Sequence, residues 1–192
     1  MDGVMSAALK PMTVEEFLVW EESQEERFEF DGVWPVAMTG GTIAHETIGG
    51  NLRVELRNRL PGTRCAVLGP TMKIEAAGHI RYPDAFVVCG PMDRKATVAG
   101  NPVVVFEVLS DSTARIDHID KLREYGLTAS IARYVILEQD TIAAMVFSRD
   151  RGRWIAETVT AGGFLEMPEI GVELPIDVLY RGIEPDDGRR EP

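Results

Sequence analysis

The chain of 192 residues is long enough for one domain with a substantial core and short for two. Hydrophobic residues make up 45% and charged residues 27%, an ordinary globular composition, and the apolar runs are too short to span a bilayer. The formal net charge of −11 argues against a protein that coats nucleic acid with a broad basic face, so a nucleic-acid activity would need a local basic patch or metal ions.

The ends of the chain and its two cysteines set the outline of the domain. The N-terminal stretch lacks the basic start and sustained apolar run of a signal peptide, so we predict a flexible leader over residues 1–11. Residues 184–192 are charged and rich in proline, which predicts a disordered tail and leaves one domain over residues 12–183. Cys65 and Cys89 belong to no CxxC pair, which predicts reduced thiols in a cytoplasmic protein.

The first two predicted elements are a helix and a hairpin. The helix begins at Thr13, whose spacing to Glu16 is that of a capping box, in which each side chain bonds to the other residue's backbone N–H. The hairpin covers residues 27–38. Because Pro35 has no backbone N–H, its arm of the hairpin is predicted to lie at a sheet edge.

The remaining pattern alternates between helices and strands. A second helix is predicted from the capping residue Thr42 to the stop at Pro61, and its apolar residues recur at helical spacing: Ile48, Leu52, Leu56 and Leu60. Several short apolar strands follow, then a third helix over residues 114–127, then three strands between residues 132 and 160. This order predicts an α/β fold around a mixed sheet.

Two acids stand out because each belongs to an apolar strand. Glu107 lies inside VVVFEVLS (residues 103–110), a run typical of a strand buried on both faces, and burial of a carboxylate is costly without a partner. Alternation places Glu107 on the face opposite to Phe106. Asp84 immediately precedes another apolar strand. Because consecutive strands are usually neighbours, we expect the two carboxylates to converge, and Mg²⁺ or Mn²⁺ would relieve their repulsion.

Lys121 is the candidate amine. It shares one face of the third helix with Asp117 and Tyr125, at i, i+4 and i+8 spacing. The helix follows the strand of Glu107, so its early turns are expected near the C-terminal end of that strand, where an ammonium could orient a metal-bound water and stabilise phosphoryl charge. Glu29, in the first hairpin, is a further candidate ligand or base.

An ordered set of five motifs resembles the Uma-type putative restriction endonucleases, which belong to the PD-(D/E)XK nuclease superfamily. The likeness extends from about residue 13 to the strands near residue 147, and it rests on RFEFDG, HETIGGNL, YPDAFVV, VFEVLSDST and DHIDKLREY. The resemblance implies a restriction-endonuclease-like core: a mixed sheet flanked by helices, with a divalent metal held by acids. Within that pattern Asp84 matches the PD aspartate, Glu107 the second acid, and Glu29 a glutamate supplied early in the chain.

The sequence departs from the pattern at two positions. The lysine of the motif should fall at Leu109, and the resemblance implies that Lys121, on the following helix, replaces it. Val33 stands where relatives often carry glutamate. His45 matches a histidine that is common near the start of the second helix, which makes it an auxiliary candidate together with Tyr125, whose other interpretation is packing beneath the lysine.

Each candidate also has a structural interpretation. Glu107 could pair with a structural arginine or with backbone donors, and Asp84 could cap a turn. Lys121 could form an ordinary surface pair, Glu29 could face outward from the hairpin, and His45 could be a hydrogen-bonding residue at the helix start.

The sequence as a whole predicts a metal-dependent phosphodiesterase, a DNA endonuclease that uses Mg²⁺ or Mn²⁺, acts as a homodimer, and has no membrane partner. Two alternatives stay open. One is a catalytically inactive member of the fold that serves as an oligomeric interaction module, and the other is a hydrolase of a small phosphodiester, which agrees better with the acidic charge.

Overall fold

The computed structural model of the chain describes residues 10–109 and 114–183, and the side chains of residues 114–118 are not among those described. The predicted leader and tail therefore fall almost entirely outside the described residues. The helices are α1 (Val14–Glu21), α2 (Ile43–Arg59), α3 (Ala114–Leu127) and a short 3-10 helix (Ile176–Tyr180). The strands are β1 (Phe28–Phe30), β2 (Pro35–Ala37), β3 (Cys65–Leu68), β4 (Lys73–Ala76), β5 (His79–Arg81), β6 (Ala85–Cys89), β7 (Val98–Ala99), β8 (Pro102–Val108), β9 (Arg133–Leu137), β10 (Ala143–Asp150), β11 (Arg153–Thr160), β12 (Phe164–Met167) and β13 (Val172–Pro175).

A six-stranded sheet forms the centre of the fold. Its order is β11-β10-β9-β8-β6-β3, with β8 and β9 parallel and the other neighbours antiparallel, so the predicted mixed sheet is confirmed. One face of the sheet packs against α2, the β12–β13 pair and the 3-10 helix in the larger core cluster, which includes Phe106 and Val108. The opposite face carries Val105 and packs against Tyr125 of α3 and Ile74 of β4.

A second sheet carries the N-terminal hairpin. Its order is β2-β1-β5-β4-β7, so β2, which begins at Pro35, lies at the edge as predicted. The buried side of the hairpin packs on α1, where the rings of Phe17 and Phe30 stack with centroids 4.9 Å apart. The capping box of Thr13 and Glu16 is also present and fixes the start of α1. The hairpin is thereby held with its other side free to line a pocket.

The cysteine prediction was wrong. Cys65 on β3 and Cys89 on β6 form a disulfide, because the antiparallel register places the two residues directly opposite each other, with Cα atoms 3.9 Å apart. Neither the 24-residue separation nor the absence of a CxxC pair indicated this register. The cysteines therefore give no support to the cytoplasmic location that was inferred from free thiols. No helix in the described part of the chain is long and apolar enough to cross a membrane.

Candidate active site

Asp84 and Glu107 meet at the end of two adjacent strands. Ala85 of β6 pairs with Phe106 of β8, and the antiparallel register continued by one residue places Asp84 opposite Glu107. The backbone N–H of Val108 donates to Oδ2 of Asp84 at 2.7 Å, which ties the aspartate to the neighbouring strand. The two side chains are 13% and 8% exposed, and both line a pocket of about 830 Å³. The convergence expected from the sequence is therefore present.

Lys121 of α3 contacts two acids on different strands, Glu107 of β8 and Glu29 of β1. Its Nζ lies 3.2 Å from Oε1 of Glu107 and 3.7 Å from Oε1 of Glu29, and its side chain is 7% exposed. This position is not that of a surface ion pair. The side chain of Asp117, the alternative partner considered from the sequence, lies outside the described residues.

Tyr125, one helical turn after Lys121, does more than fill space. It is fully buried, and its hydroxyl donates to Oε1 of Glu107 at 3.1 Å. Burial, followed by the charge of Glu107, raises the pKa of the Tyr125 phenol well above its ordinary value, so the hydroxyl stays protonated. The Glu107 carboxylate is thus held by an ammonium and a neutral hydroxyl, which answers how its burial is tolerated.

Glu29 faces the pocket and is bound by an arginine. Its Oε2 accepts from Nη1 of Arg81 at 3.0 Å, and its Oε1 accepts from the backbone N–H of Tyr82 at 3.1 Å. Arg81 also holds Glu124 of α3 through two bonds of 2.7 and 2.6 Å. Burial lowers the pKa of Arg81, but Glu124 and Glu29 together raise it by more than burial lowers it. The net shift of the pKa is therefore upward, and the guanidinium stays charged.

Sequence reasoning missed Arg81 and Glu124. Arg81 lies in the segment HIRY, a charged residue at a buried strand position, which is the same signal that singled out Glu107. Glu124 lies three residues after Lys121 and therefore shares its helix face. The two signals were present, but nothing along the chain indicated that the residues are partners.

His45 lies at the start of α2 and contacts the site. Thr42 caps this helix and accepts from the backbone N–H of His45 at 3.1 Å, as a helix-start interpretation requires. The imidazole Nε2 also lies 3.2 Å from Oδ2 of Asp84. The hydrogen bond that the imidazole donates to Asp84 raises the pKa of His45 and outweighs the lowering by burial. A Cβ on Gly41 would lie 2.7 Å from Nδ1 of His45, so glycine at this position leaves room for the ring.

The ion pairs among Glu29, Arg81, Glu107, Lys121 and Glu124 form one ion network. The two residues that depart from the nuclease motif lie outside it. Leu109 packs against the core on the same face of the sheet as Val105, and Val33 is an exposed turn residue whose N–H donates to Asp31. Lys121 is thus the amine that contacts Glu107, whereas Leu109 contributes apolar contact.

The donor set fits a hard divalent cation that retains water. In the described ranges, no group of three or more His, Cys, Asp or Glu side chains is arranged to hold a metal ion. Mg²⁺, however, commonly binds through one or two carboxylates and completes its coordination with water and substrate phosphate. Asp84 and Glu107 provide two carboxylates opposite each other on one pocket, and they satisfy this smaller requirement.

The mixed sheet flanked by helices, with strand-borne acids and a helix-borne ammonium on one pocket, defines an α/β protein of the restriction-endonuclease-like class. The chain belongs to the family described as Uma2, Putative restriction endonuclease, whose model matches residues 14–178. It is 33% identical over 182 residues to the uncharacterized protein slr1290 of Synechocystis, with 93% of this chain and 96% of that protein covered. The crystal structure of a putative nuclease belonging to DUF820 from Anabaena variabilis has a similar fold, with a TM-score of 0.74 at 15% identity over 88% of this chain and 98% of that chain. The predicted family and fold class are confirmed, and family membership supports a nuclease.

Proposed function

We propose that this chain is a metal-dependent phosphodiesterase that cleaves DNA as an endonuclease. The proposal rests on one observation: Asp84 and Glu107 lie opposite each other on adjacent strands, and Lys121 is bonded to Glu107 in the same pocket. In such an arrangement two carboxylates bind a divalent cation and an ammonium lies beside the reacting phosphate.

The chain's own residues have distinct parts in this proposal. Asp84 is fixed by the Val108 N–H through Oδ2. The carboxylates of Asp84 and Glu107 would hold Mg²⁺ or Mn²⁺. When bound, such a cation supplies Lewis-acid stabilisation of the phosphoryl oxygens and a more acidic water. Lys121 orients the attacking water and offsets the negative charge that grows on the phosphoryl group. Tyr125 keeps the Glu107 carboxylate in place through its hydroxyl.

Glu29 has a supporting part. Both of its oxygens accept hydrogen bonds, from Arg81 and from the Tyr82 N–H, and Oε1 lies 3.7 Å from Lys121. Glu29 therefore helps to position the ammonium of Lys121, and the assistance to the metal that the sequence suggested would use lone pairs that these bonds leave on its carboxylate. The proposal also includes a homodimer, which analytical ultracentrifugation would detect.

The test removes charge at the two acids without changing their shape. Asp84→Asn and Glu107→Gln should each lose saturable Mn²⁺ binding in calorimetry and nicking of plasmid DNA in the presence of Mn²⁺. Glu75→Gln is the matched control, because Glu75 is an exposed strand acid away from the pocket, and it should keep both properties. If either site variant cleaves as well as wild type, the site assignment is wrong. If wild type shows no Mn²⁺ binding that depends on Asp84, the chain is instead the inactive interaction module.

A further inference from the structure

Part of the pocket wall, beside Glu29, is apolar. Three large apolar side chains are exposed in residues 34–38 of the hairpin: Trp34 (40%), Val36 (45%) and Met38 (37%). Val36 and Met38 line the same pocket as Asp84 and Glu107. Exposed apolar groups that adjoin polar groups in one cavity are typical of a ligand site.

Strand register explains why Val36 and Met38 point toward this cavity. Val36 pairs with Glu29, and the backbone N–H of Met38 donates to the carbonyl of Arg27 at 3.2 Å. Arg27, Glu29 and the two apolar residues therefore share the pocket side of the hairpin, because side chains opposite each other on paired strands share a face. We call Val36 and Met38 the apolar wall. It is a consequence of the fold and lies beside the ion network.

Arg27 adds a positive charge to this wall. The other cations that line the pocket, Arg81 and Lys121, are paired with carboxylates. Arg27 donates to the carbonyl of Pro70 at 3.2 Å and has no carboxylate partner in the part of the chain that the structure describes. Its charge is thus available to an anion at the mouth of the pocket.

We propose that the apolar wall binds an unpaired nucleobase of the substrate, with Arg27 contacting an adjacent phosphate. This inference rests on the proposed function, since the nucleotide concerned is the one next to the phosphate at Asp84 and Glu107. A pocket of about 830 Å³ has room for a nucleotide unit in addition to a phosphate. An apolar surface with one unpaired cation matches a base and its phosphate.

The same features disfavour an intact duplex. In a duplex the faces of the bases are stacked inside the helix, so a base reaches the wall only if it is unpaired or turned out of the stack. The sequence-independent attraction for duplex phosphates is also weak in a chain with net charge −11. The preferred substrate is therefore single-stranded nucleic acid or a locally unpaired region.

The experiment measures the dissociation constant of the full chain for labelled oligonucleotides by fluorescence anisotropy, with Ca²⁺ replacing Mg²⁺ to suppress cleavage. The wall variant is Val36→Thr with Met38→Gln, which keeps side-chain size and removes apolar character. The control variant is Met92→Gln with Ile155→Thr, at apolar positions that are 46% and 50% exposed and do not line this pocket. Circular dichroism confirms that both variants fold.

Wild type should bind a single-stranded oligonucleotide more tightly than its duplex. The wall variant should bind the single strand about tenfold more weakly than wild type, and both should bind an abasic strand equally, because the lost contact is to the base. The control variant should bind as wild type does. DNA and RNA strands of the same sequence show which sugar accompanies the base, and base-dependent binding of either supports the inference.

Several results would overturn it. Equal affinity of wall variant and wild type for the base-containing strand would do so, as would tighter binding of duplex by wild type. Loss of self-association in the wall variant without a change in oligonucleotide affinity would show that the wall contacts protein instead. Base-dependent binding without Mn²⁺-dependent cleavage would refute the proposed function and support this inference. If the wall substitutions change neither the cleavage nor the binding of single strands, this inference is refuted and the proposed function is supported.

Discussion

Replacement of Arg81 by methionine should lower the free energy of unfolding by about 3–5 kcal/mol. The guanidinium makes three charged hydrogen bonds, two to Glu124 and one to Glu29, and the side chains of Arg81 and Glu124 are each only 6% exposed. Without Arg81, Glu124 keeps only the more distant contact to Nε2 of His79, at 3.5 Å, among its described ion pairs. The buried carboxylate of Glu124 then lacks a strong partner. The resulting loss of free energy of unfolding is a large part of a typical total stability of about 5–15 kcal/mol.

Urea unfolding followed by circular dichroism measures this loss, provided that the dependence on urea concentration is unchanged. Arg59→Met is the matched control, because Arg59 pairs with Glu55 one turn away on α2 in a more exposed setting, and it should cost at most about 1 kcal/mol. Adding Glu124→Leu to Arg81→Met should recover part of the loss, since the double variant has no stranded charge at Glu124. A cost of Arg81→Met near that of the control, or strictly additive losses in the double variant, would refute the reasoning.

Three other predictions concern the amine, the histidine and the disulfide. Lys121→Met should reduce the rate of DNA cleavage by about 10²–10³-fold without weakening Mn²⁺ binding in calorimetry, because the lost group stabilises transition-state charge, and an equal loss of Mn²⁺ affinity would contradict this. The pKa of His45 is raised by Asp84, so its stabilising contribution is complete below its unfolded pKa of about 6.5 and fades as pH rises through the raised value. The destabilisation by His45→Gln in urea unfolding should therefore shrink from acidic to alkaline pH, and a constant difference would count against the pair. Replacement of both Cys65 and Cys89 by serine should cost about 3 kcal/mol in the same assay, from the chain entropy of a loop with 24-residue separation, and no loss would argue that the bond does not constrain the unfolded chain.

Elements with strong local signals could be predicted from the sequence. The capping box at Thr13 and the helical recurrence of Ile48, Leu52 and Leu56 correspond to α1 and to the buried side of α2. The unbroken apolar run around Glu107 corresponds to β8, which is buried almost throughout. The short strands β5, β7, β12 and β13 were not predicted, whereas β1 and β2, which are equally short, were predicted as the two arms of a hairpin.

Partners across space were harder to predict than the residues themselves. Asp84 and Glu107 could be paired from the sequence because both belong to strands and consecutive strands are usually neighbours. The pairing of Arg81 with Glu124 depends instead on how α3 lies on the second sheet, and that of Cys65 with Cys89 depends on a register. No pattern along the chain encodes either relation.

Lys121 illustrates how a site can keep its charges when the motif loses a residue. Strand alternation places residue 109 on the same face as Glu107, so a lysine there would extend over the pocket side, but Leu109 packs into the core instead. The ammonium comes from α3 and still reaches Oε1 of Glu107 at 3.2 Å. Oε1 of Glu29 lies 3.7 Å from the same ammonium, and the hydroxyl of Tyr125 donates to Glu107. The proposed reaction requires a positive charge beside the carboxylate and not a lysine at one position in the sequence. A helix packed against the sheet meets that requirement because its packing, and not a short sequence interval, fixes where the ammonium lies.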